Sequence, residues 1–453
     1  MEILTSMNKE LTYHFTGIKG SGMSALALIL HNMGYKVQGS DQETYFFTQR
    51  GLEKAGIELL PFNADNIQEG MFIICGNAFG DDHPEVVRAK ELGLDVMRYH
   101  FFLGELIKDY TSVAITGSHG KTSTTGLMAH VMRGLHPTNF LIGDGTGAGQ
   151  EDAEYFVLEA DEYRKHFLAY HPDYAIFTNI DFDHPDYYEN IDQVFAANTT
   201  FAHQVKKKVI AYGGDAYLRQ FADQSDLDVW YYGLEGGDNH IVASNVDLAT
   251  DGSHFDVHVM GEFYGHFDIP TFGEHNVMNA LSVIGFCYFE NFPADRVAEE
   301  LRTFGGVKRR FSEKKIGDMT LIDDYAHHPS EIKATINAAR QKYPNKKIVS
   351  VFQPHTFSRT IALMDEFAGA LDLSDDVYLC EIFASAREKD NKQVSVSDLA
   401  NKVTKPVQVL PLENVSPLLD YDDAVMIFMG AGDIMKFAYA YEDLLADSQS
   451  TIH

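Results

Sequence analysis

Short runs of β-branched and aromatic residues alternate with longer amphipathic stretches along most of the 453-residue chain. The first cycle sets the pattern: an apolar run at Leu11–Thr16, a glycine turn, a helix-length segment Ser21–Met33, and a second run at Tyr35–Gly39. Further runs at Met71–Cys75, Leu94–Arg98, Ser112–Thr116, Tyr155–Leu158 and Tyr174–Thr178 read as strands, and Ser123–Arg133 as a helix. The alternation resumes at Met319–Asp323, Ile348–Phe352, Val377–Cys380 and Ala424–Met429. Parallel strands need crossover connections, which helices usually supply, so this pattern predicts an α/β protein built on largely parallel sheets flanked by helices. Around 230–270 short runs such as His254–Met260 follow one another without helices and predict an antiparallel insertion. Seams at Lys108–Thr111 and at Gly305-Gly306 divide the chain into three expected domains, 1–108, 109–311 and 312–453.

Composition narrows the function. Lys and Arg number 36 against 66 Asp and Glu, a formal net charge of −30. Such an excess repels polyphosphate backbones and anionic lipid heads, which argues against non-specific nucleic-acid binding and membrane docking. Any phosphate ligand has to be held by a local device that works against the overall field. Cys75, Cys287 and Cys380 are odd in number and far apart, which suits neither a disulfide framework nor a zinc cluster. With no cationic leader pattern and no apolar run near ~20 residues, the expectation is a soluble cytoplasmic protein.

Two glycine loops are candidates for holding phosphate. In Gly117-Ser118-His119-Gly120-Lys121-Thr122-Ser123 a hydrophobic strand enters and a helix leaves. Glycines let backbone N–H groups curl round an anion at a helix N-terminus, Lys121 can reach the terminal phosphates, and the Thr122 hydroxyl can coordinate Mg²⁺. The loop departs from the usual spacing at Ile115, where the standard pattern has glycine. The second loop, Gly17-Ile18-Lys19-Gly20-Ser21-Gly22, is G-x-x-G-x-G rather than the dinucleotide pattern, with Ser40-Asp41 placed where an acidic group would meet a ribose. By itself it fits either a nucleotide diphosphate site or a plain tight turn.

Acidic and histidine clusters follow the strand ends. Glu159 and Asp161 share a face at the end of one strand, and Asp181, Asp183 and His184 trail the next. Carboxylates and an imidazole meeting a phosphate loop would suit Mg²⁺ bridging ATP phosphates, while a solvated acidic loop is the plainer alternative. His327 and His328 sit in Asp323-Asp324-Tyr325-Ala326-His327-His328-Pro329, and His355 and Arg359 in Gln353-Pro354-His355-Thr356-Phe357-Ser358-Arg359. These residues admit a zinc site, capping and packing histidines, or a polar pocket for a small carboxylate with Arg359 as its planar fork.

Taken in order, these motifs, with His275-Asn276-Val277-Met278-Asn279, Gly306-Val307-Lys308-Arg309-Arg310-Phe311 and Gly430-Ala431-Gly432, resemble the Mur ligases of peptidoglycan synthesis over nearly the whole chain. The resemblance implies a Rossmann-like N-terminal domain for a UDP moiety, a P-loop ATPase-like central domain, and a Rossmann-like C-terminal domain completing the ATP and amino-acid sites. The His-His-Pro and Gln-Pro-His motifs point to the alanine-adding member, which implies UDP-N-acetylmuramate, L-alanine, ATP and Mg²⁺ as ligands and an acyl phosphate as intermediate. It further implies that Gly17, Gly20, Ser21, Gly22, Met23, Ser40 and Asp41 bind the UDP-sugar. ATP would meet Gly117, Ser118, His119, Gly120, Lys121, Thr122 and Ser123, together with His275, Asn276, Asn279, Arg310 and Asp324. Thr122, Glu159 and His184 would serve Mg²⁺. Tyr325, His327, His355 and Arg359 would take the amino acid, and Lys121, His184, His327 and Arg359 would carry the chemistry, His327 as a proton acceptor.

Two departures from the family accompany the resemblance. Thr356 stands where some members have arginine, and Val194–Val205 lacks the lysine that several carry in carbamylated form, so no such modification is expected. A related ligase with a different amine or peptide, a P-loop ATPase switch and, more remotely, a nicotinamide oxidoreductase are the competing readings; monomer and homodimer both stay open.

Overall fold

The computed structural model describes residues 7–223, 226–384 and 394–450. Its α/β architecture has three domains, each on a mostly parallel sheet. The N-terminal sheet contains β1 (Thr12–Thr16), β2 (Lys36–Asp41), β3 (Glu58–Pro61), β4 (Met71–Cys75) and β5 (Val96–Arg98). They lie in the order β3-β2-β1-β4-β5, all parallel. The central domain adds β6 (Thr111–Thr116), β7 (Thr138–Leu141), β8 (Gly147–Ala148), β9 (Tyr155–Glu159), β10 (Tyr174–Phe177), β11 (Lys208–Tyr212) and β12 (Val229–Leu234). These run β12-β11-β10-β6-β9-β7-β8, with only the β7–β8 pair antiparallel.

The expected antiparallel insertion begins later than the hydrophobic pattern suggests. β12 pairs parallel with β11 and extends the parallel sheet. After β13 (Ile241–Ala249), β14 (Gly252–Val259) and β15 (Glu262–Ile269) form an antiparallel hairpin. Its two-residue turn, Met260-Gly261, has φ of 53° and 84°, the doubly left-handed geometry that matches strand twist.

The C-terminal sheet contains β16 (Ser312–Ile316), β17 (Met319–Asp324), β18 (Lys347–Phe352), β19 (Asp376–Leu379), β20 (Val407–Val409) and β21 (Ala424–Met429). Its order is β16-β17-β21-β18-β19-β20, with β16 alone antiparallel. β21 is central and buried throughout, which is why Ala424–Met429 is an unbroken apolar run. By its contacts the chain divides into two compact units. One holds the chain up to Asp181, with Asp192–Ile241 and Ser282–Glu300; the other holds Phe182–Ile191, Val242–Leu281 and the chain from Leu301 on. Among the described residues no helix is long and apolar enough to cross a membrane.

One polar residue in the N-terminal core needs explanation. His14 points inward from the central strand β1 and is fully buried, which is tolerable only with a partner. Glu85, also fully buried, supplies it: its carboxylate accepts from His14 (3.1 Å), Thr16 (2.8 Å), Ser40 (2.6 Å), Asn66 (2.9 Å) and the Asn63 N–H (3.2 Å). Burial alone would push this carboxyl up, but His14, Ser40 and Asn66 outweigh it and hold it at about 2, against the ordinary 4.5. A carboxyl depressed by folding stabilises the fold above pH 4.5, and that contribution is lost as the pH falls towards 2. Urea unfolding should show this loss across that window. Glu85→Gln should start roughly 2 kcal/mol less stable at neutral pH and decline less steeply, because the charged acceptor is gone; an unchanged acid profile would refute the assignment.

Candidate active site

Both glycine loops have the backbone geometry that only glycine supplies readily. Gly117 has φ 131°, and a Cβ there would lie 2.1 Å from the Thr178 hydroxyl oxygen and 3.0 Å from the Asn179 nitrogen. Gly120, at φ 81°, is the N-cap of the helix Lys121–Leu135. The loop is fastened to the end of β10: Asn179 Oδ1 accepts the His119 N–H (2.9 Å), its amide donates to the His119 carbonyl (3.0 Å), and Thr178 Oγ1 donates to that carbonyl (2.5 Å). Ser118 Oγ donates to the Asp181 carbonyl (2.9 Å) and accepts its N–H (2.8 Å), while His119 Nε2 lies 3.2 Å from Asp181 Oδ2.

Lys121 is mostly buried, and its Nζ donates to the Gly117 carbonyl (2.6 Å) and to Glu162 Oε2 (2.8 Å), with Asp161 Oδ1 3.8 Å away. Burial would lower this ammonium's pKa, but Glu162, Asp161 and Glu159 outweigh it and hold it above its ordinary value, so Lys121 stays charged. One helical residue on, Thr122 Oγ1 donates to Glu159 Oε1 (3.1 Å), and the Gly143 N–H reaches Glu159 Oε2 (2.7 Å). Burial raises the Glu159 carboxyl. A hydroxyl and a carboxylate side by side are the hard oxygen donors that Mg²⁺ selects. Ser123 lies in the first turn of the same helix.

At the other loop, the Gly17 and Ile18 N–H groups donate to the Ser40 carbonyl (2.9 and 3.1 Å), and the Lys19 N–H donates to Asp41 Oδ2 (2.8 Å). Gly17 has φ 86°, and a Cβ there would strike the Phe79 ring at 2.2 Å; one at Gly22 would lie 2.5 Å from the Tyr99 hydroxyl. Gly20 is the N-cap of the helix that Ser21 begins, and Met23 is buried in that helix. Ser40 is fully buried, with its hydroxyl turned to Glu85, and Asp41 accepts from the loop itself. Both therefore shape the loop from beneath. Phe79 and Tyr99 went unnoticed in the sequence because nothing local marks an aromatic that will close on a distant glycine.

Other candidates gather at the ends of β17 and β18. Asp324 accepts the Phe311 and Ala326 N–H groups (2.8 Å each); burial pushes its carboxyl up to about 6 even with Arg310 and these donors opposing. Arg309 and Arg310 lie over the Tyr325 ring, 5.1 and 5.4 Å from its centroid. His327 Nδ1 lies 3.0 Å from the Tyr325 carbonyl and 3.2 Å from Glu331 Oε2. Burial lowers His327 to about 3, so its ring is neutral at physiological pH. Its neighbour His328 does different work, capping the helix Pro329–Lys342 by accepting the Ser330 N–H (3.3 Å).

Arg359 is buried and occupied. Its Nε and Nη2 both donate to Asp183 Oδ1 (2.9 and 2.8 Å), and Nη1 lies 3.2 Å from His355 Nδ1. The His355 ring stacks on Phe383, with centroids 5.5 Å apart. His184, next to Asp183, has φ 56°. His275 is lowered to about 4 by burial and then by Arg310. Asn276 donates to the Phe272 carbonyl (2.7 Å) and Asn279 to Asn276 Oδ1 (3.3 Å), so all three line the first turns of one helix.

Catalytic-domain, middle-domain and glutamate-ligase-domain models of the Mur ligases match residues 12–111, 115–287 and 309–434. The chain belongs to the Mur ligase family. It is 59% identical over 440 residues to the UDP-N-acetylmuramate–L-alanine ligase of Levilactobacillus brevis, covering 97% of this chain and 98% of that protein. It is 58% identical over 441 residues to the corresponding ligase of Ligilactobacillus salivarius, covering 97% and 99%. The crystal structure of UDP-N-acetylmuramate-alanine ligase from Thermotoga maritima superimposes with a TM-score of 0.78 at 28% identity, covering 97% of this chain and 100% of that one.

The Asp183 pairing carries a consequence for stability. Arg359→Met would leave a buried carboxylate without its cation, and breaking such a pair costs about 3 kcal/mol. The variant should unfold at lower urea concentration, and Arg359→Met/Asp183→Asn together should recover part of the loss. Urea midpoints of both variants against the parent check this, and equal midpoints would dismiss the pair as a stabilising contact.

Proposed function

We propose that this protein is an ATP-dependent ligase that joins L-alanine to the carboxylate of UDP-N-acetylmuramate in peptidoglycan precursor synthesis, acting in the cytosol. The observation that carries the reading is the loop Gly117–Thr122, whose lysine stays charged beside three carboxylates at a helix mouth. A carboxylate and an ammonium do not condense in water, so the acid must first gain a leaving group. A carboxylate oxygen attacks the γ-phosphorus of ATP and ADP departs, giving an acyl phosphate. The alanine nitrogen, once deprotonated, attacks the carbonyl carbon; the C–N bond forms, phosphate leaves with the C–O bond electrons, and the amide results.

Phosphoryl transfer of this kind depends chiefly on positioning and charge neutralisation. On this reading Lys121 exchanges Glu162 for phosphate oxygens, and the N–H groups of Gly117–Ser123 complete the cradle. Thr122 and Glu159 would offer oxygen donors to Mg²⁺, which would shield the phosphate charge, and His184 would be a third donor. His275, Asn276, Asn279, Arg310 and Asp324 are assigned to ATP. Tyr325, His327, His355 and Arg359 are assigned to alanine, and His327, neutral because it is buried, is suited to take the ammonium proton. Arg359 already holds Asp183, so its part in alanine binding would use its remaining donor capacity or work through His355.

Phosphate release should require the sugar nucleotide, ATP and alanine together, and should fall with glycine, serine or a tripeptide in place of alanine. ADP formation without UDP-N-acetylmuramate would favour an ATPase switch and overturn the reading. Lys121→Ala, compared with the parent on protein shown to be folded by circular dichroism, should reduce turnover at least ~10²-fold, since one preorganised charge at the transition state contributes that much; near-normal activity would contradict its role.

A further inference from the structure

Just past Glu162, two consecutive residues adopt a conformation that side chains with a Cβ disfavour. Arg164 (φ 52°, ψ 19°) and Lys165 (φ 58°, ψ 25°) are both left-handed. Single left-handed residues are common at turns, but two in succession without glycine persist only where their surroundings impose them. The surroundings here are specific. Tyr163 N–H donates to Asp161 Oδ1 (3.2 Å) and Lys165 N–H to the Glu162 carbonyl (2.9 Å) on one side. On the other, the His166 ring stacks on His100 (centroids 4.7 Å apart), and the buried Phe167 stacks on Phe201 (4.6 Å). Asn77 joins both imidazoles, with its amide 3.2 Å from His166 Nδ1 and its Oδ1 2.8 Å from His100 Nδ1. Both flanks are thus pinned, while the Arg164 and Lys165 side chains remain exposed.

The placement of this kink matters. Asn77 lies just beyond the end of β4, and in the order β3-β2-β1-β4-β5 the chain reverses direction between β1 and β4. Ligands of open parallel sheets bind outside that point, and the Gly17 loop leaves β1 there. On its other side the kink adjoins Glu162, the partner of Lys121. Arg164 and Lys165 therefore stand between the phosphate loop of the central sheet and the ligand end of the N-terminal sheet. In a chain of net charge −30 they are exposed cations with no carboxylate within ion-pair distance among the described residues. Arg164 lies over the Tyr163 ring, 5.5 Å from its centroid.

We propose that Arg164 and Lys165 bind the anionic part of the nucleotide sugar, whose diphosphate and carboxylate both offer oxygens to paired cations. This inference rests on the function proposed above, which supplies the nucleotide sugar. The strained backbone then has a reason: held on both flanks, it fixes where two successive cations leave the chain, in place of a free loop.

Calorimetric binding and steady-state kinetics on the full-length protein test it. R164Q/K165Q should raise the Kd and KM for UDP-N-acetylmuramate at least tenfold, the weight of one lost charge-assisted hydrogen bond. KM for ATP and kcat at saturation should hold within about twofold. R164G/K165G, which relieves the backbone strain but removes the charge, should fail in the same way, and R164K/K165R should recover most of the affinity. Competition by UDP-N-acetylglucosamine, which lacks the carboxylate, separates two supporting outcomes: equal loss assigns the cations to the diphosphate, and loss confined to UDP-N-acetylmuramate assigns them to the carboxylate. Unchanged sugar-nucleotide affinity in R164Q/K165Q, or an equal rise in KM for ATP, would overturn the proposal. If the parent protein itself bound no UDP-N-acetylmuramate, the proposed function would fail, and this inference with it.

Discussion

The protonated state of Lys121 is the constraint around which the central domain is arranged. Burial works against this ammonium, and Glu162, Asp161 and Glu159 outweigh it and hold its pKa above the ordinary lysine value. The ammonium sits at a helix mouth, held by the Gly117 carbonyl and Glu162. The field of the remaining acidic residues then acts at longer range, where salt screens it.

What could be read from the chain beforehand was whatever local backbone chemistry dictates. Strand–glycine–helix junctions at Gly17–Gly22 and Gly117–Ser123 follow from positive φ and from unpaired helix N–H groups, so both loops were legible. The parallel sheets were legible for a related reason, since buried parallel strands such as β21 are apolar along their whole length. What escaped depends on pairing across the fold. Arg359 and Asp183 stand 176 positions apart, and nothing near either names the other. Ser40 sits where a ribose contact would be sought, yet its hydroxyl turns inward because Glu85 needs donors. The division of labour between adjacent histidines also needed the fold, since the helix start gives His328 its cap while His327 meets the Tyr325 carbonyl and Glu331.

Backbone strain divides along the same line. Of nine non-glycine residues with positive φ among those described, Arg164, Lys165, His184, Arg309, Phe311 and Thr356 lie in or beside the motif segments. Met260, by contrast, serves a hairpin turn. Such conformations persist only where the surrounding contacts impose them. Thr356, β-branched at φ 70°, is the sharpest case, and its hydrogen-bonded neighbour on the carbonyl side, Thr360, helps to hold it there.

The inward-facing carboxylate of Glu85 bears on how such a protein can change over time. Thr16, Ser40 and His14 come from neighbouring strands and Asn66 from a separate turn, yet all depend on one acceptor. Replacing any one donor weakens the rest, so substitutions there are tolerated only in concert. Drift in this lineage should therefore accumulate on the surface and in connecting segments, with these five positions inherited or exchanged together.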